Sequence, residues 1–334
     1  MIHHNIDIVI AWVDNSDPEW LHQKQKYNKN VKYHNDMWND SDARYRDWDL
    51  LRYWFRGIEK FAPWARKIHF VTWGHIPNWL NVDNERLSIV KHEDFIPNKY
   101  LPTFSSHCIE LNLHRIPDLS EQFIYFNDDM FLLNNTVESD FFKNGLPCDA
   151  AIISPIYLKQ NGIRAEINNM YLINDAFDKN KVIRNHISKW FNYKYGKYLI
   201  RTCLMMPFNL FSGFYIHHLP TSLLKSTYID VWNQYTDILD ETCSHKFREN
   251  TDVNQWLMEF WQYCTGQFAP RSPNMGCIYE GNNLFNSMLD TIKHQKFKMI
   301  CCNDSIDIDD FEVKKELLIK EFNKLLPDKS VFEL

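Results

Sequence analysis

The chain has 334 residues, enough for one large domain or two modest ones. A hydrophobic share of 45% and a charged share of 24% are those of an ordinary globular protein and exclude wholesale disorder. The net charge of −6 at pH 7 provides no overall basic field, which argues against nucleic acid as a partner.

Ile6 to Val13 is an apolar run rich in β-branched residues and reads as a buried strand. It ends in Asp14-Asn15-Ser16-Asp17-Pro18, where Ser16 or Asp17 can cap a helix that begins with Pro18. A strand-to-helix loop at the carboxyl edge of a sheet is the usual seat of a nucleotide. The glycine-rich dinucleotide loop and the phosphate loop are both missing, so a nucleotide here would be held by side chains. Trp12 can stack on a base, and Asp14 can accept from a ribose hydroxyl or a uracil N–H. Residues 21–43 are polar and read as a surface loop. Arg44 to Lys60 reads as a helix with Leu51, Trp54, Phe55 and Ile58 on one face. Arg44, Arg46 and Arg52 are candidate phosphate contacts, because guanidinium forks match phosphate oxygens.

Further strands are expected at Lys67–Thr72 and Leu87–Val90, then a helix from Cys108 to Arg115 capped by Ser105 or Ser106. Phe123 to Phe126 is another apolar run. It stops abruptly at Asn127-Asp128-Asp129, and apolar residues resume at Met130. Adjacent carboxylates at a strand's carboxyl end suit a hard cation, which prefers oxygen ligands. This alternation predicts an α/β fold with a mostly parallel sheet.

Residues 166–260 read as mainly helical, with two polar islands. One is His217 to Ser222, before a helix carrying Lys225. The other is Phe247 to Val253, read as a helix start capped by Asn250 or Thr251. Met299 to Cys302 then runs into Asn303-Asp304, an echo of the earlier Asn-Asp end, and reads as a fifth strand of the same sheet. The last helix, Phe311 to Leu325, stops before Pro327.

None of the eight cysteines forms a C-x-x-C pair, so zinc-site spacing is missing. Met1 to Asp7 lacks the apolar core of a secretory leader, and a cytoplasmic chain with reduced thiols is expected. No window reaches the roughly 18 apolar residues of a membrane span. The aromatic, basic stretch Lys189 to Arg201 is a candidate for peripheral attachment at the inner face of the membrane.

Taken in order, these pieces resemble the Stealth family. The matching stretches are Ile6 to Pro18, Arg44 to Trp64, Leu101 to Phe104, His114 to Pro117 and Phe123 to Phe131. They continue with His218-Leu219-Pro220, Phe247-Arg248, Asp252-Val253, Cys302-Asn303-Asp304 and Leu326 to Glu333. That family comprises bacterial capsule and exopolysaccharide hexose-1-phosphate transferases and the lysosomal-enzyme N-acetylglucosamine-1-phosphotransferase.

The resemblance implies a GT-A-like nucleotide-sugar-binding core, here residues 1–155 and 265–334. A mainly helical insertion, 156–264, would contribute to the acceptor side of the site. It implies transfer of hexose-1-phosphate, N-acetylhexosamine-1-phosphate foremost, from a UDP-sugar to a hydroxyl of an oligo- or polysaccharide acceptor, with release of UMP. His218, Arg248 and Asp128 would be catalytic, His218 as general base with His217 as its rival. Asp129 and Asp304 would hold Mg²⁺ or Mn²⁺. Trp12, Asp14, Asp17, Arg44, Arg52, Asn127 and Asn303 would contact substrate. Trp73-Gly74-His75 departs from the family's usual Asp-Gly-Gln, so donor contacts there are expected to differ. Two other readings are a conventional GT-A glycosyltransferase, which releases UDP, and a non-catalytic nucleotide-sugar or glycan-binding protein.

Overall fold

A computed structural model describes residues 5–28, 47–157, 163–304 and 308–334. Arg44, Arg46 and most of the expected polar loop lie outside the described residues. The centre is β1 (Ile6–Ala11), which pairs in parallel with β2 (Ile68–Thr72) on one side. β3 (Leu87–Lys91) lies beyond β2, also parallel, and β4 (Gln122–Asn127) flanks β1 on the other side in the same direction.

β1 and β4 read as unbroken apolar runs because both of their faces are covered. Ile6, Ile8 and Ile10 face a layer built from the Leu51–Phe61 helix, the C-terminal helix Phe311–Leu325 and a second, smaller sheet. Val9, on the opposite face, joins Phe123 and Tyr125 in a core shared with the helices between residues 163 and 265. At two rows per strand, this alternation fixes the register.

After β4 the chain turns at Asp128-Asp129 and leaves the main sheet as β5 (Met130–Leu132). A small sheet follows, with β6 (Phe142–Lys143) antiparallel to β7 (Leu146–Asp149). The fifth strand of the main sheet is β8 (Thr221–Leu224), antiparallel to β4, giving the order β3-β2-β1-β4-β8. β9 (Ala269–Pro270) extends the small sheet along β7. β10 (Gly276–Glu280) and β11 (Met299–Asn303) are parallel to each other, and β11 runs antiparallel to β5.

The mixed α/β fold with a parallel-rich sheet matches the expectation from sequence, with four local corrections. Met299–Asn303 belongs to the second sheet and not to the main one, because an apolar run records burial but not the identity of its neighbour. Residues 21–28, expected as loop, continue the Pro18–Asn28 helix. The helix expected from Arg44 begins at Leu51. The Phe247–Val253 island is a turn, and its helix starts at Trp256. The turn is fixed by buried Asp252, whose carboxylate takes hydrogen bonds from the Glu249 N–H and contacts the rings of His107 and His245. Among the described residues, no helix is long and apolar enough to cross a membrane.

Candidate functional site

Parallel pairing sets Ala11 of β1 beside Asn127 of β4, so the loops that follow both strands open on the same edge. On the β1 side, the Trp12 ring stacks on Phe70 at 5.6 Å and meets His75 edge-on. The Asp14 N–H donates to His75 Nδ1 at 2.9 Å, which leaves the His75 proton on Nε2. Asp14 Oδ1 accepts from the Ser16 N–H and hydroxyl. Asp17 caps the Pro18–Asn28 helix, accepting from the N–H groups of Glu19 and Trp20 at 2.9 and 2.8 Å. His75, the odd residue of Trp73-Gly74-His75, therefore shapes this loop. Burial lowers its pKa and favours the neutral ring.

On the β4 side the carboxylates crowd. Asp128 faces solvent at the tip of the turn but is ringed by protein atoms. That desolvation, with the like charges of Asp129 and Asp47, pushes its carboxyl up to about 7. Asp47 is raised as well, by desolvation first and then by Asp49 and Asp14. Asp14, Asp47, Asp128 and Asp129 thus form one electrostatically coupled group across the loops after β1 and β4. Sequence reasoning missed Asp47 as a member, because nothing local shows that its position before a helix lies near the loops after β1 and β4.

The antiparallel pairing of Tyr125 with Thr221 folds the segment before β8 over the end of β4. His218 arrives with Nε2 at 3.4 Å from Asn127 Nδ2. It holds a left-handed backbone, φ 46°, a conformation uncommon outside glycine and found where surrounding structure over-determines it. The surroundings do so here. Trp256 abuts the ring, and Leu219 packs against Gly276 of β10 so closely that a Cβ at position 276 would stand 2.8 Å from it.

β11 supplies the third side. The Cys302 N–H donates to the Asp129 carbonyl at 2.8 Å. The Cys301 thiol donates to Asp129 Oδ2 at 3.3 Å and lies 3.8 Å from His218 Nδ1. Burial, then the charge of Asp129, keep the Cys301 thiol protonated, with its pKa far above the usual range. Ligand atoms of Asp129, His218 and Cys301 lie within 4.8 Å of one another. Cys301 carried no signal in the sequence beyond its place in an apolar run.

Asn303 ends β11, and Asp304 follows it on this edge. His217 points elsewhere: its ring packs perpendicular to Tyr215, and burial lowers its pKa to about 4 despite the nearby charge of Asp149. Arg248 reaches the Ser106 hydroxyl at the start of the Ser106–Leu111 helix, next to a stack of Phe247 on Phe104. Arg52 lies over the Trp79 ring, 3.9 Å from Glu333 of the C-terminal tail. No contact among the described residues joins Arg52 or Arg248 to the group around His218.

Two family models match this sequence: Stealth protein CR1, conserved region 1, over residues 4–32, and Stealth protein CR2, conserved region 2, over residues 44–148. The capsular polysaccharide phosphotransferase WcwK of Streptococcus pneumoniae is 43% identical over 329 residues, 98% of each chain. The chain belongs to the Stealth family. The receptor polysaccharide phosphotransferase WefC of Streptococcus gordonii is 39% identical over 98% of this chain and 99% of its own. The exopolysaccharide phosphotransferase cps2G of Lactiplantibacillus plantarum is 38% identical over 98% and 96%. Among solved structures, the galactosyltransferase LgtC in complex with donor and acceptor sugar analogs aligns over 94% of this chain and 95% of its own, at 10% identity and a TM-score of 0.38.

The two Stealth regions contain Trp12, Asp14, Asp17, Asp47 and the Asn127-Asp128-Asp129 turn. His218 and Cys301 lie beyond both, and only the fold unites them with the turn. The donor set suits a divalent cation. Asp129 Oδ1 is buried and has no hydrogen-bond partner, and Asp128, raised first by desolvation, also carries the like charges of Asp129 and Asp47. The carboxylate oxygens of Asp128 and Asp129 are hard donors of the kind Mg²⁺ and Mn²⁺ take, while the Cys301 thiol beside them is a soft one.

Proposed function

We propose that this Stealth-family enzyme transfers hexose-1-phosphate from a UDP-sugar to a hydroxyl of a glycan acceptor, in the assembly of a cell-surface polysaccharide. The observation that carries the reading is the convergence of His218 on the Asn127-Asp128-Asp129 turn, an imidazole facing crowded carboxylates at a parallel sheet's carboxyl edge. The relatives' names supply the reaction class, phosphotransfer onto a polysaccharide.

In this reading the acceptor oxygen attacks the β-phosphorus of the donor. A new P–O bond forms, the bond from that phosphorus to the bridging oxygen breaks, and UMP leaves with the bridging oxygen. The acceptor proton passes to His218 Nε2. The Asn127 amide lies 3.4 Å from Nε2, and Nδ1 lies 3.8 Å from the Cys301 thiol, so both neighbours position the ring at the turn. Asp128 and Asp129, with Asn303 and Asp304 beside them, would hold Mg²⁺ or Mn²⁺, which neutralises charge on the diphosphate as UMP departs. Trp12 and Asp14 would hold the uridine, with Asp17 ordering their loop. Arg248, with Arg44 and Arg52, would bind phosphate oxygens. Residues 156–264 would supply the acceptor side, and the reaction would take place in the cytoplasm.

The test incubates the chain with Mg²⁺, a panel of UDP-sugars and oligosaccharide acceptors, and identifies the released nucleotide by mass. UMP supports the proposal. UDP assigns conventional glycosyl transfer, and no release with intact donor binding assigns a binding protein.

A further inference from the structure

Charge is distributed unevenly along this acidic chain. From Lys179 to Ile229 there are eight Lys and Arg residues and not one Asp or Glu, although the whole chain carries −6. The same segment exposes several large apolar side chains. Tyr193 is 83% exposed, and Ile200, Leu204, Phe208 and Leu210 are each more than half exposed. Ile200, Leu204 and Phe208 follow one another at four-residue spacing through and just past the helix Leu199–Met205, which buries only Thr202. Such side chains stacked at i and i+4 make one ridge.

Most of the segment's cations serve the fold. Lys179 is buried against the carbonyls of Met205 and Phe208. Lys189 holds the carbonyls of Gly266 and Phe268, and Lys194 that of Pro270. Lys181, Arg184 and Lys197 are exposed, and Arg201, also exposed, donates to the Ser154 hydroxyl at 3.0 Å and lies over the Tyr215 ring. Lys197 stands one turn before Ile200, and Arg201 follows it, so cations flank the apolar ridge. A water-exposed ridge of this size needs a partner. Apolar side chains bordered by Lys and Arg, with no acid among them, are what an interfacial segment presents to anionic headgroups.

We infer that the Tyr193–Leu210 ridge is a peripheral membrane-docking surface that inserts into the headgroup layer of an anionic bilayer. The inference does not depend on the transfer reaction. It adds a physical location for that reaction: the ridge belongs to the helical layer, and the same layer delivers His218 to the site.

The experiment sediments the full chain with phosphatidylcholine vesicles, with and without phosphatidylglycerol, at low and high salt. Binding is expected only with phosphatidylglycerol and is expected to weaken as salt screens the cations. Lys197→Glu is expected to reduce partitioning about ten-fold, and Leu204→Ser with Phe208→Ser to abolish it. Both variants should keep the wild-type melting temperature and the wild-type circular dichroism spectrum. Equal partitioning onto neutral and anionic vesicles, no partitioning at all, or unchanged partitioning of both variants overturns the inference. So does a concentration-dependent dimer, seen by ultracentrifugation and lost in Leu204→Ser/Phe208→Ser, which would make the ridge an interface between copies. Failure of nucleotide release in every sample would sink the proposed reaction and leave the vesicle result to decide docking by itself.

Discussion

The two ends of the main sheet treat carboxylates in opposite ways. Asp7, near the start of β1, is fully buried and fully satisfied. It takes both arms of Arg66 at 2.7 and 2.6 Å, the Ser120 N–H at 2.8 Å, and a contact from His69 at 3.1 Å. Burial alone would raise its pKa, but the hydrogen bonds from His69, Arg66 and Ser120 outweigh it and hold the group at about 2. At the carboxyl end, desolvation first and then the like charges of Asp129 and Asp47 push Asp128 up to about 7. One sheet therefore carries a carboxylate that stabilises the fold and another that the fold leaves under electrostatic stress. Stress of this kind marks the end that awaits a ligand.

The largest expected effect tests that stress directly. Chelation of divalent ions should abolish nucleotide release, and Mg²⁺ should restore it. Full turnover in chelator would show that the carboxylates do not hold an ion. Next, His218→Ala should lower kcat by about 10²–10⁴ without changing the unfolding midpoint. An equally large loss from His217→Ala would instead transfer the base role across the loop. Asp7→Ala should behave the other way round, costing about 3–5 kcal/mol in urea unfolding because Arg66 loses its buried partner.

The smallest effect is on pH. The folded pKa of Asp128 lies above its ordinary 3.8, so the folded state holds the extra proton between about 4 and 7. The Asp128 contribution to stability should therefore fall as pH rises through that window. Asp128→Asn should raise the metal-free melting temperature at pH 8 by a few degrees and leave it nearly unchanged at pH 4. For Asp7 the sign reverses: its contribution is present above 3.8 and disappears as pH falls towards 2. Melting curves across pH on the two variants read both slopes.

Much of the candidate site was legible where local pattern and burial coincide. β1 and β4 announced themselves as apolar runs, and the sudden Asn127-Asp128-Asp129 marked the edge at which they stop. The Asn303-Asp304 echo follows a strand that joins a different sheet, where Cys301 pairs with Met130 just after the turn. What stayed hidden depends on tertiary pairing. β8 has only four residues, too few for a period to register, yet its pairing with β4 is what carries His218 inward. The choice of His218 over His217 came from resemblance to a family. The structure adds the physical difference: one ring meets Asn127 and Cys301, and the other packs on Tyr215. Asn250 and Thr251 read as helix caps because a cap and a turn of this kind use the same residue types.

Asp129 meets Cys301 across 172 positions of chain, and the Leu219–Gly276 contact that pins the His218 loop also waits for β10. The timing of synthesis follows from this. While the ribosome is still short of residue 276, β1 to β4 can pair, but the acidic turn has neither its thiol neighbour nor a clamped imidazole. Long-range contacts of this kind form late. The proposed site should accordingly be completed only as the last sixth of the protein emerges, so that an interrupted chain carries the acidic turn without its partners.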